Sequence, residues 1–374
     1  MRGCKLFVYG VAALTVAVGS WADTSGGAPP ELSISSPSSL AQVEVEQLRQ
    51  RLKYWADEII AGTAAGQVAT AAAGARNDYR LYSARDYQYR FAEIAGEVFV
   101  PVIKGGLDED DRLRLMKEVN LAIVLARIPQ VNIMPALTSM LEHPNSAVRY
   151  LGWEGYRLNR TGILAQSREY AQNMLDATIP AAEKETSAPV IGSIFSVANI
   201  SLGLPAVPAS TIKEAQQRMF AMLEANWLKW CKRVMAGEAE MSRACENSIE
   251  GVKTLAAAQA GGQDSKAKAL QMLADLMHSA AGAYDFSAGT GPIAEENSIL
   301  LRACEAALVE LSGLTSNRIV AILADEKFEG DRSAALGLKV YDWFDDLKQF
   351  GVSEPRVKAA SKPKENANPE PATQ

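Results

Sequence analysis

Residues Pro135–Leu158 read PALTSMLEHPNSAVRYLGWEGYRL and predict two helices joined by a short turn. Leu137, Met140 and Leu141 stand at helical spacing before the turn at residues 143–145, and a second periodic segment follows it. Apolar residues then lie on the inner faces of both helices. One such pair cannot bury these faces alone, so it must pack on neighbouring helices to be stable. The stretch therefore predicts stacked antiparallel helix pairs.

Helical periodicity extends from this stretch over most of the chain. Leu48, Leu52, Trp55 and Ile59, for example, follow one helix face, and alternating β-branched runs bounded by turn residues are nearly absent. The sequence therefore predicts an all-α protein built as an α-solenoid of stacked antiparallel helix pairs. Its C-terminal half either continues the stack or forms a helical bundle.

The opening stretch resembles a HEAT-type helical repeat, a resemblance carried by the His143-Pro144-Asn145 turn and by Val148-Arg149 at the start of the second helix. In that family the arginine commonly supports the turn. A weaker echo, at residues 187–203, begins about 41 residues further on and lacks the arginine, so the number of repeats stays open. The resemblance implies a curved stack of helix pairs that binds other macromolecules.

The N-terminal residues have the three-part pattern of a secretory signal. Arg2 and Lys5 precede an apolar run over residues 6–19, and the small residues Ser20 and Ala22 occupy the two positions that a signal peptidase inspects. Because the run is shorter than the roughly 20 residues needed to span a bilayer, we expect cleavage after Ala22. An uncleaved membrane anchor is the alternative. Cleavage predicts an exported chain, periplasmic or extracellular, with no integral membrane segment.

Composition divides the chain into five segments. A Ser/Pro/Gly-rich stretch follows the cleavage site, a second Pro-rich stretch at residues 202–210 separates two helical regions, and the last residues contain no large apolar side chains. The predicted segments are a signal peptide at 1–22, a flexible linker at 23–38, a HEAT-like helical domain at 39–204, a second helical region at 209–351 and a disordered tail at 352–374.

Charge and histidine content narrow the function. The chain carries 38 basic and 44 acidic residues, a net charge of −6 and a pI near 5.3, which argues against a general nucleic-acid binder. Its two histidines, His143 and His278, have no second ligand at helical spacing. We therefore predict no metal site and no cofactor, and no residue stands out as catalytic.

The cysteines leave two interpretations open. Signal cleavage removes Cys4 and leaves Cys231, Cys245 and Cys304 in a compartment that favours disulfides. Cys231 and Cys245 flank a predicted helical turn, so a disulfide between them across a helical hairpin is one interpretation. The other is that all three are small buried apolar residues.

The candidate binding residues lie between Arg76 and Phe91, where the sequence RNDYRLYSARDYQYRF alternates arginine with tyrosine. Guanidinium groups and aromatic faces together suit a sugar ring, a peptide or an acidic protein surface. The alternative is an amphipathic helix with half-buried tyrosines and extended arginines. The candidate set comprises Arg76, Tyr79, Arg80, Tyr82, Arg85, Tyr87, Tyr89 and Arg90.

Two functions are compatible with these features. The first is an exported, non-enzymatic helical-repeat protein that acts as a protein–protein interaction or scaffold module in the cell envelope, with a protein partner expected and a glycan as an alternative ligand. The second is an α/α-toroid enzyme acting on polysaccharide or cell-wall glycan, which would need an acid and a base in a groove. The positions of buried carboxylates should distinguish them.

Overall fold

The computed structural model describes residues 28–105, 111–200, 207–286, 291–325, 328 and 331–358. Within these ranges the chain forms fifteen α-helices and no β-strand, which confirms the all-α prediction. The predicted signal peptide at 1–22 lies outside the described residues.

Packing divides the chain into two compact units, one ending at Gly162 and the other beginning at Ile163. The first unit contains α1 (Gln42–Ala61), α2 (Ala65–Tyr79), α3 (Arg85–Gly105), α4 (Asp111–Ala126), α5 (Met134–Leu141) and most of α6 (Ser146–Gln166). The second contains α7 (Arg168–Lys184), α8 (Ala188–Ala198), α9 (Ala209–Met235), α10 (Ala239–Glu246), α11 (Ser248–Ala257), α12 (Ser265–Phe286), α13 (Gly291–Ser312), α14 (Arg318–Ala324) and α15 (Arg332–Leu347).

This division falls earlier in the chain than the predicted boundary near residues 204–209. The helices α7 and α8, which the sequence assigns to the first domain, pack on helices of the second unit, α7 on α9 and α8 on α10 and α11. Residues 201–206, within the Pro-rich stretch, lie outside the described residues. The predicted domain at 39–204 therefore combines helices of both compact units.

The odd-numbered helices of the first unit, α1, α3 and α5, lie side by side in a first row. Contacts between neighbours join residues whose numbers rise together, so the three helices run in the same direction. The pairs are Leu40 with Asp86, Arg49 with Glu97, Gln88 with Gln130, and Ile103 with His143.

The even-numbered helices, α2, α4 and α6, form a second row. The side chain of Gln130, just beyond α4, donates to the Tyr79 hydroxyl at the end of α2, and that of Asn159 on α6 donates to the carbonyl of Ile128. Within a pair the direction reverses: a Cβ on Gly152 would contact Leu141, and one on Gly155 would contact Leu137. The first unit is thus three antiparallel helix pairs stacked in two rows.

The second unit also contains helices stacked in register. Hydrogen bonds between α7 and α9 and between α9 and α12 join residues 42 to 46 positions apart, and partner numbers again rise together. Offsets of 42 to 46 residues lie within the range of helical-repeat periods. The neighbouring helices α10 and α13 are joined by a hydrogen bond from Ser242 to Asn297.

Residues 28–38 correct the prediction of a flexible linker, because they lie fixed against the first unit. The Pro30 carbonyl accepts a hydrogen bond from Arg51 at 2.6 Å, and Glu44 accepts from both the backbone N–H and the hydroxyl of Ser35, each at 2.6 Å. The backbone N–H of Leu40 donates to Asp86 at 2.9 Å. Polar side chains of α1 and α3 thus form hydrogen bonds with backbone groups of this segment. The composition of the segment predicts that water would bind these groups instead. Residues 23–27 lie outside the described residues.

The predicted disordered tail needs a similar correction at residues 352–358. Val352 and Val357 are buried, and the backbone N–H of Ser353 donates to Gln271 of α12 at 2.7 Å. Arg356 pairs with the buried Asp275 at 2.7 Å. Burial raises the pKa of Asp275, and its bonds to Arg356 oppose that shift. Residues 359–374 lie outside the described residues.

Close packing of α1 on α2 depends on Gly74. A Cβ at this position would lie 2.6 Å from Cζ3 and 2.7 Å from Cζ2 of the buried Trp55, whereas a Cβ on Gly66, in the same helix, would meet nothing within 4 Å. The two glycines therefore have different roles.

We expect Gly74→Ala to lower the free energy of unfolding by about 1–3 kcal/mol, because a rigid indole ring blocks the added methyl group. The matched Gly66→Ala variant should raise it by about 0.4–1 kcal/mol, because alanine restricts the unfolded chain without a clash. Urea unfolding followed by circular dichroism measures both. Equal effects at the two positions would contradict the packing described.

The docked segment at 28–40 should make stability depend on pH. Hydrogen bonds from the Ser35 side chain and from the backbone of Ala41 and Ser35 lower the pKa of Glu44 from 4.5 to about 2. Because the folded state favours the carboxylate, its contribution is complete above pH 4.5 and is lost as pH falls towards about 2. Glu44→Gln should therefore be less stable than the parent near neutral pH, and thermal unfolding should show this difference shrinking over that interval. A difference that does not change with pH would exclude this role for Glu44.

Candidate functional site

The candidate set of arginines and tyrosines does not lie on one helix, because α2 ends at Tyr79 and α3 begins at Arg85. Tyr79 and Tyr87 are core residues. The Tyr87 hydroxyl donates to the Asp78 carbonyl at 2.8 Å, and Tyr79 packs edge-on against Phe91 at 5.4 Å. Burial raises the pKa of both tyrosines. These two side chains hold the helices together and cannot contact a partner.

The other members of the set fall into two groups. Tyr82 is half-buried against Tyr87, and the remaining residues at the start of α3, Arg85, Tyr89 and Arg90, are exposed. Arg90 already forms an ion pair with Glu93 one turn later, at 2.9 Å. The second group, Arg76 and Arg80, lies at the end of α2.

The end of α2 lies near Arg127, which follows α4 directly and whose charge acts on Arg76. Arg127 in turn lies near Tyr150, on α6, which also feels the charge of Arg157 on the same helix. We call the set Arg76, Arg80, Arg127, Tyr150 and Arg157 the arginine surface. Arg80, Arg127 and Arg157 are exposed, and the other two side chains are half-buried.

The guanidinium groups of Arg76, Arg80 and Arg127, at the centre of the arginine surface, repel one another. Burial lowers the pKa of the Arg76 guanidinium, and the charges of Arg80 and Arg127 lower it further. Across the described part of the chain, none of these three arginines forms an ion pair. Arg157 differs, because it pairs with Glu154 at 2.9 Å. The arginine surface therefore carries positive charge that the described residues leave largely uncompensated.

Helix electrostatics explain why arginines occur at these positions. The C-terminal end of a helix carries a partial negative charge, which favours basic side chains in and just after the last turn. Arg76 and Arg80 stand at the end of α2, and Arg127 stands at the end of α4. Because both helices run in the same direction within their row, their basic ends lie together.

Sequence reasoning found Arg76 and Arg80 but missed Arg127, Tyr150 and Arg157. These three are far from the RNDYRLYSARDYQYRF segment in sequence, and only stacking of α2, α4 and α6 joins them to it. Only the spacing between successive helix pairs could have predicted that these residues lie together. A single clear repeat in the sequence does not define that spacing.

Buried carboxylates at several separate places accept hydrogen bonds that hold neighbouring segments together. Asp78 accepts from Arg51 at 2.6 and 2.8 Å and from the Trp55 indole at 2.5 Å. In the second unit, Glu305 accepts from the backbone N–H groups of Ile319 and Val320 at 3.0 and 2.8 Å, and from the Trp343 indole at 3.0 Å. Glu185 likewise accepts from the backbone N–H groups just before α8. Each of these carboxylates is committed to neighbouring donors.

A groove of about 660 Å³ in the first unit also contains carboxylates. Its lining residues are Ile103, Lys104, Arg114, Leu115, Glu118, Ser139, Glu142, His143, Pro144 and Asn145. Glu118 is buried, and its carboxylate lies 3.7 Å from Nε2 of His143. Two carboxylates and an imidazole therefore share one groove.

His143 itself has a structural role in the turn between α5 and α6. Its Nδ1 accepts from the Asn145 backbone N–H at 3.1 Å, so the proton of a neutral imidazole lies on Nε2, which is 3.2 Å from the Ile103 carbonyl. Arg149 donates to the carbonyls of His143 and Pro144 at 2.9 and 2.7 Å. The arginine thus supports the turn, as the sequence resemblance implies, and both ring nitrogens of His143 are engaged.

No group of three or more histidine, cysteine, aspartate or glutamate residues suited to hold a metal ion occurs in the ranges that the structure covers. His278, the other histidine, packs edge-on against Tyr341 and Phe344 at 5.7 and 6.3 Å. In those same ranges, no helix combines the length and the apolar character needed to cross a membrane.

The three cysteines of the second unit are free thiols, so the structure does not contain the proposed Cys231–Cys245 disulfide. Cys231, Cys245 and Cys304 are each buried, on α9, α10 and α13. Burial raises the pKa of all three thiols, which disfavours the reactive thiolate. Buried free thiols of this kind pack as small apolar residues, which is the second of the two interpretations given above.

Comparison with known proteins yields little similarity. No protein-family model and no curated protein matches the chain. Among solved structures, one similar chain is described as the crystal structure of an engineered protein, a target of the Northeast Structural Genomics Consortium. The match has a TM-score of 0.30 and 13% identity, and it covers 86% of this chain and 90% of that one. A likeness at this level supports no inference about fold or function.

Thiol counting tests the state of the cysteines. We expect the mature protein, kept without reductant, to show three reactive thiols per chain in denaturant and none under native conditions, because all three side chains are buried. A chromogenic thiol reagent measures both values, with a fully reduced sample as the control. A single reactive thiol in denaturant would show that two of the three cysteines form a disulfide and would support the Cys231–Cys245 interpretation.

Proposed function

We propose that the protein is an exported, non-enzymatic helical-repeat protein of the HEAT type, which acts as a scaffold in the cell envelope and binds a protein partner. The observation that carries this proposal is the arginine surface. Three successive helices of one row contribute to it, and Arg76, Arg80 and Arg127 have no ion-pair partner among the described residues. Uncompensated charge on a stacked scaffold is typical of a surface that another molecule covers.

The stack itself supports a binding role. Helix pairs that repeat in register expose a continuous row of side chains, and proteins of this architecture use such rows to bind other macromolecules. The α5–α6 turn, in which Arg149 bonds to two turn carbonyls, supports the HEAT assignment. The N-terminal signal pattern, with cleavage expected after Ala22, supports export.

The α/α-toroid enzyme acting on polysaccharide or cell-wall glycan is the second candidate, and the groove lined by Glu118 and Glu142 favours it. Such chemistry needs one carboxyl group as an acid and one as a base or nucleophile. Against this, His143 uses both ring nitrogens to hold its own turn, and Glu118 lies beside the guanidinium of Arg114, at 3.8 Å. The groove is therefore the second choice.

Site-specific photocrosslinking in the native host tests the proposal. A photoreactive residue replaces Asn77, which is exposed on α2 between Arg76 and Arg80, or, as the control, Val43, which is 65% exposed on α1 in the first row. We expect the mature chain to begin at Asp23, to fractionate with the envelope, and to crosslink a distinct protein from position 77 but not from position 43.

Recovery of the chain alone, or identical products from both positions, would refute the scaffold proposal. The enzyme candidate is tested in parallel with purified protein and cell-wall glycan. Hydrolysis that Glu118→Gln and Glu142→Gln each abolish, with unchanged circular dichroism, would establish the enzyme instead.

A further inference from the structure

We infer that the partner presents to the arginine surface an extended protein segment of about six residues, rich in aspartate and glutamate and containing apolar side chains. This inference rests on the proposed function and specifies the chemistry of its partner. Its basis is the juxtaposition of Arg76, Arg80 and Arg127 beside exposed leucines.

The charge of the arginine surface selects an anion. Arg76 is half-buried, and burial and the two neighbouring guanidinium groups lower its pKa. The repulsion between these positive charges opposes folding when no anion is bound. Carboxylates placed between these arginines would remove the repulsion. Arginine rather than lysine occupies all three positions, and its planar fork matches a carboxylate with two parallel hydrogen bonds.

The arrangement across the second row sets the length of the ligand. Arg76 belongs to α2, Arg127 follows α4, and Arg157, which is paired with Glu154, belongs to α6, so the arginine side chains extend over two helix-to-helix spacings. Packed helices lie 8–10 Å apart, which makes the span roughly 16–20 Å. An extended chain advances about 3.3 Å per residue, so about five or six residues cover it.

Apolar neighbours favour a protein segment over a polyanionic glycan or nucleic acid. Leu81, directly after Arg80, is 53% exposed, and Leu158, directly after Arg157, is 41% exposed. These side chains offer contacts to the aliphatic groups of a peptide, which sugar polymers lack. The net charge of −6 over the whole chain also repels long polyanions, whereas a short acidic segment meets only the local positive charge.

Fluorescence anisotropy with the full mature chain tests the inference. The probe is a labelled six-residue peptide of alternating glutamate and leucine, and the matched control peptide carries glutamine in place of glutamate. We expect the acidic peptide to bind, with an affinity that falls as salt increases, and the glutamine peptide to bind at least about tenfold more weakly.

Two double variants with the same charge change locate the binding. Arg76→Gln with Arg127→Gln should weaken binding of the acidic peptide by about tenfold or more. Arg168→Gln with Arg218→Gln, which removes one exposed and one half-buried arginine of the second unit, should change it less than about twofold. Circular dichroism and thermal unfolding confirm that each variant folds, and single substitution of the exposed Arg127 replaces the first variant if it does not.

Three results would overturn the inference: equal binding of the acidic and glutamine peptides, equal effects of the two double variants, or displacement of the peptide by a uronic-acid oligosaccharide at lower concentration than by unlabelled peptide. Failure of the proposed function looks different. If no protein crosslinks at position 77, the scaffold proposal fails whatever the peptide does. If a protein crosslinks there but the acidic peptide does not bind, only the partner chemistry is wrong.

Discussion

The ion pair between Arg51 and Asp78 is the interaction on which the first unit depends. Two guanidinium nitrogens of Arg51 bind the two carboxylate oxygens of Asp78, and the Trp55 indole donates to the same carboxylate. Arg51 also binds the Pro30 carbonyl, and the Tyr87 hydroxyl binds the Asp78 backbone. Arg51 and Asp78 together thus connect the N-terminal segment, α1, the end of α2 and α3. Removing one partner from a buried pair of this kind costs about 3–5 kcal/mol.

The second unit uses buried carboxylates in the same way. Asp275 of α12 binds the backbone and side chain of Arg356, and Glu305 of α13 connects the start of α14 to Trp343 of α15. In each case a buried carboxylate adds hydrogen bonds to a segment that also buries apolar side chains, Val352 and Val357 in the first and Ile319 and Trp343 in the second. Several acidic residues of the chain therefore contribute to its architecture.

The sequence predicted the parts of the fold that depend on local pattern. Leu48, Leu52 and Trp55 all lie buried on α1, as their spacing indicates, and the turn at His143 forms with Arg149 beneath it. The segments at 28–38 and 352–358 were misjudged because their order comes from distant side chains, which composition does not show. Tyr79 and Tyr87 lie in the core because the chain breaks between α2 and α3, which the alternation of arginine and tyrosine does not show. No local pattern could join Arg127 to Arg76, because helix stacking alone does so.

The stacking that brings these arginines together also determines what their charge means. Parallel helices in one row place their C-terminal ends side by side, and each end carries exposed carbonyls with partial negative charge. Without arginines, the adjoining ends of α2 and α4 would repel an anion. The electrostatic potential at the C-terminal ends of α2 and α4 is therefore positive because of Arg76, Arg80 and Arg127, and not because of the backbone.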